Sequence, residues 1–161
     1  KSINEAIGEK LEQLLNAGLQ LIWQTGKPYA AKAKEQIAGK RSIWVNEFNT
    51  QMEYAYAAAD IVVARSGAMT VAELCVVKKP VLFVPYPFAA EDHQTVNAMQ
   101  LVDKHAALMI KDADAPDKLV PIAIDLAKDE NWQGQLMNNI AKLAITDADK
   151  VIANEILKSI R

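Results

Sequence analysis

The stretch ADIVVARSGAMTVAELCVVKKPVLFVP, residues 59 to 85, limits the folds open to this chain more than any other. Ile61-Val62-Val63-Ala64 is a short apolar run that reads as a buried strand, and it breaks at Arg65-Ser66-Gly67. A helix over 69–77 follows at once, Lys78-Lys79-Pro80 stops it, and the apolar run 81–85 begins a second strand. Two strands joined through a helix pair in parallel, with a right-handed crossover by default. Such a unit commits the chain to a parallel sheet covered by helices.

The same alternation extends to both sides. Ile3, Ile7, Leu11, Leu14 and Leu15 recur at helical spacing over 3–16, and Gly18 closes that helix. A strand is expected at 19–24, a turn at Thr25-Gly26-Lys27-Pro28, a helix over 29–38, a strand at 42–45 and a helix over 50–58. After the loop YPFAAED, residues 86 to 92, come a helix from His93, a last strand at 108–110, and helices near 116–128, 131–144 and 147–159. The fold class is therefore α/β, a Rossmann-like doubly wound parallel sheet with helices on both faces.

With 161 residues and neither repeats nor Pro-rich linkers, a single domain is expected over 1–161. A formal net charge of -2 with no basic block lacks the electrostatic footprint of a nucleic-acid binder, so no nucleic-acid partner is expected. No apolar run approaches the ~18 residues of a membrane span. The single Cys75 cannot close an internal disulfide, which suits a cytoplasmic setting.

In a doubly wound sheet ligands bind beyond the carboxyl ends of the strands. The turn at Arg65-Ser66-Gly67, the loop 85–92 and Phe48-Asn49 all fall at that end. Gly67 lets the backbone approach a ligand closely, and the N–H groups of Ala68, Met69 and Thr70 would meet a phosphate at the positive end of the helix dipole. The first turn carries no basic residue, so a backbone cradle is the expected grip. Glu73, one turn in, suits either of two roles. Its carboxylate can accept two hydrogen bonds from a vicinal diol such as ribose, or it simply favours the helix N-terminus. Ser66 and Thr70 are candidate N-caps as well as site residues. Gln94 and Asn97, at i and i+3, can hold sugar hydroxyls or an acetamido group, or else serve as capping groups in solvent. His93 beside them is a weak base candidate.

Other polar and aromatic residues are assigned to the scaffold. Cys75 belongs in the core, Trp23, Trp44 and Trp132 are packing residues, and His105 lies at the surface. Neither a P-loop nor G-x-G-x-x-G is present, no Cys/His spacing supports zinc, and no G-x-S-x-G elbow supports a hydrolase.

In their order and spacing, R-S-G-A-M-T-V-A-E-L, K-P-V-L-F-V-P and E-D-H-Q-T-V-N-A resemble the C-terminal half of the MurG family. So do I-W-Q-T-G-K at 22–27, V-N-E-F at 45–48 and A-A-A-D-I-V-V-A-R-S-G at 57–67. These are the transferases that add N-acetylglucosamine to undecaprenyl-pyrophosphoryl-muramyl-pentapeptide in bacterial peptidoglycan synthesis. The resemblance implies the C-terminal, donor-binding domain of a GT-B glycosyltransferase. It places the pyrophosphate of UDP-N-acetylglucosamine on Ala68, Met69 and Thr70, the ribose on Glu73, the sugar on His93 and Gln94 with Asn97 beside them, and the uracil on the backbone of Asn49. No cofactor or metal is implied. The catalytic base, the lipid acceptor and the contact with the cytoplasmic face of the inner membrane all belong to an N-terminal domain outside this sequence.

The chain opens on Lys1-Ser2-Ile3, directly in a helix, as an excised fragment would. The five strand candidates then lack the central member of a 3-2-1-4-5-6 order, so an upstream strand with a glycine-rich turn is expected to fill a gap in the sheet. A non-catalytic subunit that binds a UDP-sugar for a membrane partner, and half of a UDP-sugar epimerase, are the competing readings.

Overall fold

A computed structural model of the chain describes residues 1–160. The helices are α1 (Ser2–Glu9), α2 (Leu11–Asn16), α3 (Lys27–Gln36), α4 (Met52–Ala58), α5 (Ala68–Val77), α6 (His93–Val102), α7 (Ala115–Lys128), α8 (Glu130–Ala141) and α9 (Ala148–Ser159). The strands are β1 (Leu21–Gln24), β2 (Ile43–Asn46), β3 (Val62–Ala64), β4 (Val81–Phe83) and β5 (Leu108–Met109). All pairings are parallel, as the crossover unit requires.

They form two sheets rather than one: β1 pairs with β2, and β3, β4 and β5 pair in that order. The break falls where the strand-order argument leaves a place, since β1 and β3 are the two neighbours of the expected central strand. Helix α1 spans the two sheets. Asn4 donates to the Thr25 carbonyl at 2.7 Å and accepts from Trp23 Nε1 at 3.0 Å on the β1 side, while Ser2 donates to Asp112 beyond β5.

Strand β4 shows why the sheet is wound on both sides. Its successive side chains point to opposite faces. Leu82 and Val84 enter a core with Ile7, Leu11, Trp23 and Leu119, whereas Val81 and Phe83 enter a second core with Leu74, Cys75, Leu101 and Ile140. Helices α1, α2, α3 and α7 supply the first core and α5, α6 and α8 the second.

Three expectations are corrected. The helix expected over 3–16 is two helices, broken at Lys10, whose φ of -113° and ψ of 22° are not helical. The expected turn at Thr25–Pro28 is shorter, because Pro28 sits in the first turn of α3, where its missing N–H costs nothing. Of the tryptophans, Trp23 is buried but Trp44 is 44% exposed, because it points outward from β2 and packs little.

Candidate nucleotide site at the carboxyl ends of the strands

The β3–α5 turn carries the most specific feature. Gly67 is the N-cap of α5, with φ -62° and ψ 149°, and no side chain caps the helix. The first amide of this helix to find a backbone acceptor is that of Val71, which bonds the Gly67 carbonyl at 3.0 Å. The N–H groups of Ala68, Met69 and Thr70 are left without partners among the described residues, as a helix start with no cap dictates. Met69 is 74% exposed, so this end of the helix stands open. A Cβ built on Gly67 would meet no atom within 4 Å. Neither its backbone angles nor its neighbours within the chain demand a glycine there.

Ser66 is not a cap. It is fully buried, its hydroxyl donates to the Gln94 carbonyl at 2.7 Å, its N–H donates to Gln94 Oε1 at 3.3 Å, and its carbonyl accepts from Asn97 Nδ2 at 3.1 Å. Every polar group of Ser66 is thus spent on α6, behind the open helix end. Thr70 is no cap either, lying inside the first turn of α5.

Gln94 and Asn97 therefore divide their amides. Gln94 Oε1 also accepts from the Tyr86 N–H at 3.0 Å, which ties the β4–α6 loop to the β3–α5 turn. Among the described residues Gln94 Nε2 and Asn97 Oδ1 have no partner, and no buried side-chain polar atom is left unpaired, so both face solvent. One half of each amide builds the scaffold and the other half is open to a ligand. His93 is exposed; its Nδ1 lies 2.7 Å from the Ala90 carbonyl, so the ring braces the short turn at Ala90–Asp92, and its Nε2 has no protein partner among the described residues. That turn forces Glu91 and Asp92 into left-handed backbone, at φ 49° and 52°.

Asn49 follows β2 at the same edge. Its N–H donates to Gln24 Oε1 at 2.8 Å, and its side-chain oxygen accepts from the Gln51 N–H at 3.0 Å, shaping the approach to α4. A base reading this backbone meets the carbonyl open and the amide already held by Gln24. Phe48 beside it is 63% exposed.

Glu73 projects from α5 toward α4, where the Tyr56 hydroxyl donates to its Oε2 at 3.3 Å. Both residues line an open groove of about 390 Å³ with Met52, Ala72 and Val76.

Arg65 is the structural hub behind these groups, a role that its place in the turn does not reveal. Its guanidinium donates to the carbonyls of Val84 and Pro85 at 2.9 and 3.0 Å, to Asp112 Oδ1 at 2.5 Å and to Ser2 Oγ at 3.0 Å. It also lies over the Tyr86 ring, 5.6 Å from the centroid. Partial burial pushes the Asp112 carboxyl up, but hydrogen bonds from Ser2 and Arg65 and the charge of Arg65 outweigh it and hold the group below its ordinary value. The arginine thus fixes the ends of β3 and β4 and the segment after β5, leaving the helix start as the positive pole for an anion. Among the described residues no three His, Cys, Asp or Glu side chains converge as a metal site, and no helix is long and apolar enough to cross a membrane.

Comparison with known proteins identifies the family of the chain. The model of the glycosyltransferase family 28 C-terminal domain matches residues 1–153. The chain is 44% identical over 161 residues to the UDP-N-acetylglucosamine–N-acetylmuramyl-(pentapeptide) pyrophosphoryl-undecaprenol N-acetylglucosamine transferase of Phocaeicola vulgatus, covering 98% of this chain and 43% of that protein. It is 44% identical over 160 residues to the protein of the same name from Cytophaga hutchinsonii, covering 99% and 43%. Among solved structures, that of Acinetobacter baumannii MurG superposes with a TM-score of 0.79 at 26% identity, over 95% of this chain and 48% of that one. The chain thus spans less than half the length of these curated relatives.

Proposed function

The chain belongs to the glycosyltransferase family 28 C-terminal domain family, and from that membership we propose that it is the donor-binding half of an inverting N-acetylglucosaminyltransferase. The proposed donor is UDP-N-acetylglucosamine and the proposed acceptor undecaprenyl-pyrophosphoryl-muramyl-pentapeptide. The observation that carries the reading is the start of α5, where three adjacent N–H groups have no partner among the described residues and the Gly67 turn leaves room for a close approach. A pyrophosphate supplies the acceptors that those groups lack, at the positive end of the helix dipole.

The neighbouring groups give the rest of the donor its places. Glu73 accepts from the ribose diol, the Asn49 carbonyl accepts from a uracil N–H, and Gln94 Nε2, Asn97 Oδ1 and His93 Nε2 face the sugar. In the transfer step the acceptor hydroxyl attacks the anomeric carbon, its proton passes to a base, and the sugar–phosphate bond breaks with UDP leaving. The charge that builds on the departing pyrophosphate is stabilised by the fixed amides of Ala68, Met69 and Thr70. The base, the acceptor site and the contact with the cytoplasmic membrane face are assigned to a further domain of a longer polypeptide, and a strand immediately upstream of α1 would sit between β1 and β3.

Calorimetric titration tests this reading. The chain should bind UDP and UDP-N-acetylglucosamine and transfer no sugar alone. Absence of uridine-nucleotide binding would overturn the donor assignment, and transfer to the lipid acceptor by this chain alone would overturn the half-enzyme assignment.

A further inference from the structure

The groove between α4 and α5 contains a contact that the donor reading above does not require. Tyr56 is anchored at one end: its ring packs against the core that holds Leu74, Cys75 and Phe83. Its other end reaches the groove, where the hydroxyl donates to Glu73 Oε2. Tyr54, two residues earlier on the same helix, is 65% exposed and has no such bond, so the contact is not a general property of tyrosines on α4. Glu73 lies on the exposed face of α5 and has no other side-chain partner among the described residues. An unrestrained glutamate at such a place samples many rotamers, and each that cannot reach the ligand lowers affinity.

The geometry points to Tyr56 as a positioning residue that aims the Glu73 carboxylate: the hydroxyl takes one lone pair of Oε2 and leaves Oε1 and the remaining Oε2 lone pair for a vicinal diol. The inference rests on Glu73 meeting the ribose. Burial and then the adjacent carboxylate push the Tyr56 phenol above its ordinary range, so its proton stays in place as the donor. The contact also places selection between a ribose and a sugar lacking both hydroxyls partly outside the residue that touches them. A carboxylate already oriented accepts both diol hydrogens without first being ordered.

Tyr56→Phe keeps the ring in the core and removes only the hydroxyl. Calorimetry with UDP and with 2′,3′-dideoxy-UDP would be run on the wild-type chain, Tyr56→Phe, Glu73→Ala and the double variant. Tyr56→Phe is expected to weaken UDP about three- to tenfold, to leave 2′,3′-dideoxy-UDP unchanged, and to add nothing once Glu73 is alanine. If Tyr56→Phe binds UDP like the wild type while Glu73→Ala is weakened, the positioning role is wrong and the ribose contact stands. Equal loss of both ligands in Tyr56→Phe makes Tyr56 a packing residue and also overturns the proposal. If Glu73→Ala leaves UDP affinity unchanged, the ribose reading fails and the positioning role with it.

Discussion

Gly67→Ala separates the demands of the fold from those of a ligand. The backbone at Gly67 has φ -62° and ψ 149°, which alanine adopts without strain, and the added Cβ meets nothing within 4 Å. Alanine is a poorer N-cap than glycine by roughly 0.5–1 kcal/mol, and its stiffer unfolded chain offsets about 0.4–1 kcal/mol. The two contributions nearly cancel, so stability should change by no more than about 0.5 kcal/mol. Binding should not be spared. The methyl group occupies the space on the open side of the turn, where a pyrophosphate must come within ~3 Å of the first amides of α5. Loss of one hydrogen bond from that cradle to a charged phosphate is worth about 1.5–3 kcal/mol, or roughly ten- to a hundredfold in the dissociation constant for UDP. Urea denaturation would measure the first quantity and calorimetry the second. A Gly67→Ala variant of unchanged stability that binds UDP with wild-type affinity would refute the placement of the pyrophosphate.

Gln94→Glu should keep the two backbone donors of Ser66 and Tyr86 satisfied, preserve the fold, and lose preference for UDP-N-acetylglucosamine over UDP; equal affinity ratios before and after would remove Gln94 from the sugar site. Gln94→Ala, by contrast, leaves those donors without their acceptor and should destabilise the chain by about 1–3 kcal/mol in thermal or urea unfolding. Asp112 has a folded pKa below its unfolded value near 3.8, so its contribution to stability is present above that pH and is lost as the pH falls through the folded value. Asp112→Asn should flatten the acid limb of a stability–pH curve, and an unchanged limb would show that the Arg65 hub does not govern it. Amides on the unpaired edges of β1 and β3 should exchange with solvent faster than those between β3 and β4, and a longer polypeptide carrying the upstream strand should slow them.

Local patterns disclosed the elements of the fold, and pairings between distant residues decided the details that they missed. Short continuous apolar runs such as Val62–Ala64 and the Lys-Lys-Pro stop before Val81 located strand and helix within a few residues. The split at Lys10 was hidden because Ile7, Leu11 and Leu14 keep helical spacing across it. At the site, the uncapped helix start was legible from a strand, a glycine and a helix in succession. Neither of the two roles open to Ser66 in the sequence, cap or ligand contact, named its partner, because the Gln94 carbonyl lies 28 residues away. The split use of the Gln94 amide, the hold of Gln24 on Asn49 and the reach of Tyr56 to Glu73 depend likewise on how loops and helices meet, and no spacing along the chain encodes them. Arg65 stood within the key turn, yet only the convergence of β4 and the segment after β5 gives its guanidinium its acceptors.

A crystal structure of the chain with UDP-N-acetylglucosamine would decide whether the open start of α5 is a pyrophosphate site. Pyrophosphate oxygens are expected within hydrogen-bonding distance of the Ala68, Met69 and Thr70 amides, with the ribose hydroxyls on Glu73. A donor bound with its pyrophosphate elsewhere, and those three amides still open to solvent, would contradict it.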